Sequence, residues 1–199
     1  NQLYKAWCLS LESNLDRREW MLSIKDKIGL DFEFWNATTP DEITEEIKER
    51  YFKDVNYYEW DVIPEAVMAT FISHMKILKW AVDNKTNVII IEDDIDIVNA
   101  FDWDSLEWNT FDIFMLGNFK GNYCYAYAIS WENAKSFLIH LNTIVITQAY
   151  DMEMHNTQYL KFKYPNKTIF EQVYGVFKSN LSPNGYKRLK THNKKKLFL

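Results

Sequence analysis

The 199-residue sequence predicts one α/β domain built on a mixed, mostly parallel sheet flanked by helices. Three observations carry that expectation. Short apolar runs alternate with longer helical stripes through the first half of the chain. Val88-Ile89-Ile90-Ile91 is a continuous apolar run, the signature of a strand buried on both faces. Eight Trp, twelve Tyr and thirteen Phe stand against five Gly and four Pro, which excludes a disordered, collagen-like or loop-rich chain. The predicted domain covers residues 1–186, and residues 187–199 form a basic tail.

Taken in order, Tyr4 to Leu9 reads as a strand. Ser13 and Asp16 stand in capping-box spacing before a stripe of Leu15, Trp20, Met21, Ile24 and Ile28 that stops at Gly29. Asp31 to Trp35 alternates with period two, so it is a second strand. Thr39-Pro40-Asp41-Glu42 supplies a cap, a first-turn proline and a glutamate for a helix through Phe52. Asp54 to Pro64 reads as an aromatic loop. Glu65 to Asp83 places Val67, Phe71, Met75, Leu78 and Val82 on one helical face. Asp112 to Leu116 and Tyr123 to Ile129 read as strands, and Ser130 caps a helix facing the core through Ala134, Phe137, Leu138 and Leu141. A helix over Asp151 to Leu160 and short strands near Phe162 and Ile169 to Val173 complete the pattern.

Charge and motifs narrow the function. The net charge is −5, and Lys187, Arg188, Lys190, Lys194, Lys195 and Lys196 lie in an acid-free tail. The body is therefore more acidic than the whole, a poor platform for nucleic acid. The tail offers peripheral contact with an anionic surface or simply a solvated terminus. Cys8 and Cys124 lack metal or disulfide spacing and read as buried thiols. No apolar run is long enough to span a membrane, so a cytoplasmic protein of a bacterial or virus-infected cell is expected. None of the five glycines falls in a dinucleotide or P-loop frame, so phosphates must be held by other means.

The chemistry concentrates where the predicted strand ends in Glu92-Asp93-Asp94-Ile95-Asp96. Ligands bind at the carboxyl ends of strands in open α/β sheets. Crowded carboxylates repel one another unless a cation or raised pKa relieves them, and hard divalent cations that hold phosphates seek such oxygens. Two frames fit. Glu92-Asp93-Asp94 matches a metal-holding element of a nucleotide-sugar transferase. Asp94-Ile95-Asp96 resembles the nucleophile and acid/base pair of haloacid-dehalogenase-type phosphatases, although no second acidic pair follows.

Several segments together resemble glycosyltransferase family 25. Cys8-Leu9-Ser10-Leu11 with Asn14-Leu15-Asp16-Arg17-Arg18 is similar to its opening strand and turn. Phe71-Ile72-Ser73-His74 with Trp80, Ile91-Glu92-Asp93-Asp94 and Phe111 to Gly117 follow in the family's order. Tyr125 to Ser130 with Ala134-Lys135, then Asp151, Pro165, Gln172 and Ser179, complete the resemblance. Ala66-Val67 departs from the family's upstream Gly-Glu pair, and Val145-Ile146-Thr147 lacks its proline before Asp151.

The resemblance implies a Rossmann-like GT-A fold and a metal-dependent, inverting hexosyltransferase using UDP-galactose or UDP-glucose. It implies Mn²⁺ or Mg²⁺ held by Glu92 and Asp94, and a donor bound by Ser10, Arg17, Arg18, Asn36, Ala37, Ser73, His74 and Asp93. Asp151 becomes the acceptor-side base, with Glu153 and His155 as fallbacks for base or third metal ligand. The acceptor is a glycan or other hydroxylated molecule. Tyr57, Tyr58, Trp60, Trp103 and Trp108 are candidate sugar platforms or loop anchors. A catalytically weak UDP-sugar or glycan-binding module of the same fold is the alternative, ahead of the phosphatase.

Overall fold

Side-chain alternation along the strands sorts the apolar residues into two cores. In the computed structural model, which describes residues 3–52, 64–117, 123–173 and 176–177, the first strand β1 (Tyr4–Ser10) sends Ala6 and Cys8 to one face and Leu9 to the other. Strand β3 (Asn87–Glu92) divides likewise: Val88 and Ile90 face one core, Ile89 and Ile91 the other, and all four are fully buried. The continuous apolar run therefore does mark a strand covered on both sides.

The main sheet has the order β2-β1-β3-β6-β5-β7, with β2 (Phe32–Asn36), β5 (Ile113–Met115), β6 (Ala126–Ile129) and β7 (Phe162–Lys163). Strand β1 is parallel to β2 and β3, and β5 is parallel to β7. Strand β6 runs against both its neighbours, which makes the sheet mixed. Helices α4 (Pro64–Asn84), α5 (Trp131–Thr143) and α6 (Tyr150–Asn156) cover one face. Helices α1 (Leu15–Ser23) and α2 (Lys25–Ile28) lie over the other with a two-stranded sheet of β4 (Ile95–Ile97) and β8 (Phe170–Gln172). Among the described residues no helix is long and apolar enough to cross a membrane.

Local departures from the sequence expectation have identifiable causes. The Ser13–Asp16 box does not form; Asn14 occupies the cap position, and its side chain is drawn to Asp93 instead of the helix. The stripe is interrupted at Ile24, and Leu15 is exposed while Met21, Ile24 and Ile28 are buried. Gly29 closes α2 with φ 65°, a left-handed cap that suits glycine.

The helix expected from Pro40 to Phe52 is broken in two. Pro40–Glu42 is a 3₁₀ turn in which the Thr39 N–H donates to Glu42 Oε2 at 2.6 Å. Ile43 then turns extended to bury its side chain, and Thr44 caps α3 (Glu45–Tyr51) by accepting from the Ile47 N–H. Helix α6 is shorter than its expected reach to Leu160, and β4 was hidden by its three-residue length.

Trp103 and Trp108 are loop anchors. Trp103 is buried, donates from Nε1 to the Ile28 carbonyl at 2.9 Å and stacks on Phe170. Trp108 packs on Tyr4 and Phe111. Tyr57, Tyr58, Trp60 and the basic tail lie outside the described residues. Cys8 and Cys124 are free and buried, as expected.

Gly117 is a tight point: a Cβ there would meet the buried Tyr125 ring at 2.6 Å. Gly117→Ala is expected to destabilise the fold by about 1–3 kcal/mol, the usual cost of overpacking. Urea unfolding checks this, and an unchanged midpoint would show that the Tyr125 ring yields.

Candidate functional site

The sheet order changes direction at β1, since β2 lies on one side of it and β3 on the other. At such a switch point the loops leaving the strand ends part and open a crevice. Ser10 ends β1 and Asp93 directly follows β3, and Ser10 Oγ donates to Asp93 Oδ2 at 2.7 Å across that gap. Strand periodicity then separates the acids. Glu92 shares the phase of Val88 and Ile90 and faces α4; Asp93 shares that of Ile89 and Ile91 and faces α1.

Asp93 is held on the α1 side. It accepts from Ser10, from Asn14 Nδ2 at 3.2 Å and from Arg17 at 2.7 Å, and it is 5% exposed. Arg17, itself buried, also lies 3.3 Å from Asp94 Oδ2. The Phe177 ring lies 5.4 Å from its guanidinium carbon. An internal guanidinium thus relieves part of the carboxylate repulsion.

Asp94 Oδ2 also accepts from Gln172 Nε2 at 3.2 Å, while Asp94 Oδ1 is buried with no hydrogen-bond partner. Burial and the neighbouring Glu92 and Asp93 charges push the Asp94 carboxyl up to about 7, against the pull of Arg17. Burial, then Asp93, raises Glu92 to about 7 as well.

On the other side Glu92 meets α4. His74 Nε2 lies 3.5 Å from Glu92 Oε1, and His74 Nδ1 is 3.0 Å from the Tyr127 hydroxyl. That hydroxyl is 2.8 Å from the Tyr150 hydroxyl, and the His74 and Tyr150 rings stack 4.2 Å apart at 8°. Burial holds the imidazole neutral, with its pKa lowered to about 3. Asp151 follows Tyr150 in the first turn of α6, where its Oδ1 accepts from the Met152 N–H at 2.9 Å. It is not the helix cap; Ala149 is. Burial raises Asp151 to about 6, with the Glu92 charge adding to it and backbone hydrogen bonds and His74 opposing.

Beyond the ends of β1 and β2 lies an open cleft of about 620 Å³, lined by Ser13, Asn36, Ala37, Thr38, Glu42 and Lys76 among others. Arg18 lies at the ends of the same two strands, donating to Asn36 Oδ1 at 2.6 Å and to the Ser10 carbonyl at 3.2 Å, with its guanidinium over Phe34. The Ala37 N–H donates to the Ser10 carbonyl at 2.9 Å. Helix α4 fixes the far wall: Ser73 Oγ accepts from the Thr38 N–H, and Lys76 Nζ donates to Thr38 Oγ1.

The structure places the sequence candidates at different depths around the ends of β1, β2 and β3, and only Asn36 and Ala37 of them line the open cleft. Arg18 is joined to that cleft through its bond to Asn36. Asp93, Ser10 and Arg17 form a buried brace, and Ser73 and His74 are buried with their polar atoms committed to protein partners. Of the fallback residues, Glu153 is buried and accepts from Gln148, while His155 stacks on Phe162 with its Nε2 unpartnered. Asp96 sits in β4 and pairs with Lys27, 3.1 Å away.

Asn14, Gln172, Tyr127, Tyr150 and Lys76 were not singled out as site residues. Asn14, Gln172 and Tyr127 stand in the motifs of the family resemblance, which is the available signal; Tyr150 and Lys76 act through neighbours distant in sequence.

Two of these side chains, Glu92 and Asp94, carry the hard oxygen donors that divalent cations prefer. Among the described residues no group of three or more His, Cys, Asp or Glu side chains is placed to hold a metal ion by itself. Glu92, whose side chain is 28% exposed, and the buried Asp94 Oδ1, which no protein group satisfies, are oxygen donors of the kind such a cation takes.

Compared with curated proteins one by one, the chain matches none. The model of glycosyltransferase family 25 (LPS biosynthesis protein) does match, over residues 4–189, which takes in both sheets, the carboxylate crevice and Asp151. With that match over nearly the whole length, the chain belongs to glycosyltransferase family 25, and it is a glycosyltransferase.

Proposed function

We propose that this glycosyltransferase moves a hexose, galactose or glucose, from a UDP-sugar to a hydroxyl of a glycan or other hydroxylated acceptor, with inversion and with a divalent cation. The observation that carries this reading is the division of labour at the end of β3. Asp93 is spent on Ser10, Asn14 and Arg17, while Glu92 and the unpartnered Asp94 oxygen remain for a ligand.

Glu92 and Asp94 are the residues that would hold Mn²⁺ or Mg²⁺. When bound, such an ion neutralises charge on a diphosphate and makes it a better leaving group. The cleft at the ends of β1 and β2 is roomy enough for a nucleoside, with Asn36 and Ala37 on its wall. Arg18, beside Ser10 and Asn36, supplies charge-assisted hydrogen bonds toward phosphate or ribose. Arg17 contributes positive potential from behind the acids.

Asp151 is the proposed base. As the acceptor oxygen bonds to the anomeric carbon, the carbon–oxygen bond to the diphosphate breaks and the acceptor proton passes to Asp151. A carboxylate tuned to about 6 is largely ionised at neutral pH yet basic enough to take that proton.

The test is UDP release from a UDP-sugar panel, followed against pH. The base works deprotonated, so kcat/KM is expected to rise with pH through about 6 and then level. Asp151→Asn is expected to lose ~10²–10⁴-fold and the limb with it. A limb that survives in Asp151→Asn assigns the base elsewhere. Tight UDP binding without turnover for any donor and acceptor would replace this reading with the binding module.

A further inference from the structure

The crevice acids are backed by a buried chain of hydroxyls and imidazole that has a direction. Tyr150, Tyr127 and His74 are 3%, 0% and 1% exposed, so their protons must be shared among themselves and with Glu92. Two arrangements are available. In one, the Tyr150 hydroxyl donates to Tyr127, Tyr127 donates to His74 Nδ1, and the proton on His74 Nε2 faces Glu92. In the other, every bond is reversed.

The reversed order is the worse one. It leaves the Tyr150 proton without an acceptor in this chain and turns a bare Nε2 lone pair toward the Glu92 carboxylate. A Glu92 that holds a cation is ionised and only accepts, so it needs the N–H tautomer opposite it. The first order pairs both hydroxyls and His74 Nδ1 and turns the Nε2 proton toward Glu92 Oε1, 3.5 Å away. The face-to-face stack of His74 on Tyr150 fixes the ring plane, leaving the tautomer as the remaining choice.

We propose that Tyr150 and Tyr127 lock His74 as the Nε2–H tautomer, making His74 a positioning residue that aims Glu92 into the crevice. The chain also ties the first residue of α6 to α4 and β6, and Asp151 is the next residue along. One ladder therefore sets the metal-side carboxylate and the base-bearing helix turn relative to each other. This rests on the reading of Glu92 and Asp151 given above. His74 has no role as a donor ligand in it.

The chain contains four histidines, so nitrogen NMR of histidine-labelled protein resolves the tautomer directly. The wild type is expected to show His74 protonated on Nε2. Tyr127→Phe removes one hydroxyl and keeps the ring. It is expected to weaken Mn²⁺ binding in the presence of UDP ~10–100-fold, the range for partners that orient metal ligands. Its kcat should fall by a similar factor, with the donor KM within about threefold. His74→Gln, which keeps an N–H toward Glu92, should recover most of what His74→Phe loses.

An Nδ1–H tautomer in the wild type overturns the proposal. So does a Tyr127→Phe protein that binds Mn²⁺ and turns over like the wild type, or equal losses in His74→Gln and His74→Phe. A wild type that binds no Mn²⁺ with UDP sinks the metal reading instead, and the tautomer then decides the His74–Glu92 assignment by itself.

Discussion

Asp94→Asn is expected to lose ~10²–10³-fold in cation-dependent sugar transfer while folding at least as well as the wild type near pH 7. The catalytic loss follows from removing a formal charge where the proposed reaction develops negative charge on a leaving diphosphate; single preorganised electrostatic contacts carry effects of that size. The stability gain follows from linkage. Burial raises the Asp94 carboxyl from an ordinary carboxylate value to about 7, so the folded state prefers it protonated. As pH rises from about 4 to about 7 the ionised group costs the fold stability, and the neutral amide escapes that cost.

The amide also preserves an oxygen for Gln172 or Arg17. Two measurements separate the effects: UDP release with and without Mn²⁺, and urea midpoints at pH 5 and pH 8. Unimpaired, cation-independent turnover in the variant would remove Asp94 from the site. A variant less stable at pH 8 than the wild type would show that Arg17 needs both acids.

Arg17→Met is expected to have the largest effect on folding. Arg17 is 7% exposed and contacts Asp93 at 2.7 Å and Asp94 at 3.3 Å. Removing one partner from a buried ion pair leaves an uncompensated charge, at a cost of about 3–5 kcal/mol. For a chain of this size that corresponds to a drop in Tm on the order of 10 °C. The companion double variant Arg17→Met with Asp93→Leu removes both charges, and it should regain a large part of the loss. Thermal unfolding of the two proteins decides it. A single variant within about 1 kcal/mol of wild type would mean that Ser10 and Asn14 suffice for Asp93.

The centre of the fold was readable because its signals are local. An apolar run ending in Glu92-Asp93-Asp94 announces a buried strand and a charged strand end within a few residues, and both are present. The family resemblance added order, and the match over residues 4–189 agrees with it. What could not be read is long-range. Arg17 lies 76 residues from Asp93, so nothing in its helix distinguishes an internal counter-charge from a phosphate ligand.

Asn14 misled for a related reason: its neighbours spell a capping box, but tertiary contact with Asp93 recruits it. The division of Glu92 from Asp93 follows from strand period alone. It becomes visible only once the two helices on opposite faces are known to present His74 and Arg17. Strand β4 is three residues long, too short for any periodicity to register.

The pairing of β4 with β8 has a consequence for the order in which the chain becomes competent. Gln172 reaches Asp94 across 78 residues, and the Val173 N–H donates to the Asp94 carbonyl at 2.7 Å. During synthesis the N-terminal part of a chain emerges and folds first. The parallel core β2-β1-β3 is complete by residue 92, yet one wall of the crevice arrives only with residues 170–173. A nascent or proteolytically clipped chain lacking that strand would keep its nucleus but leave Asp94 open to water. The enzyme is therefore built so that its acid cluster matures late, well after the sheet that carries it.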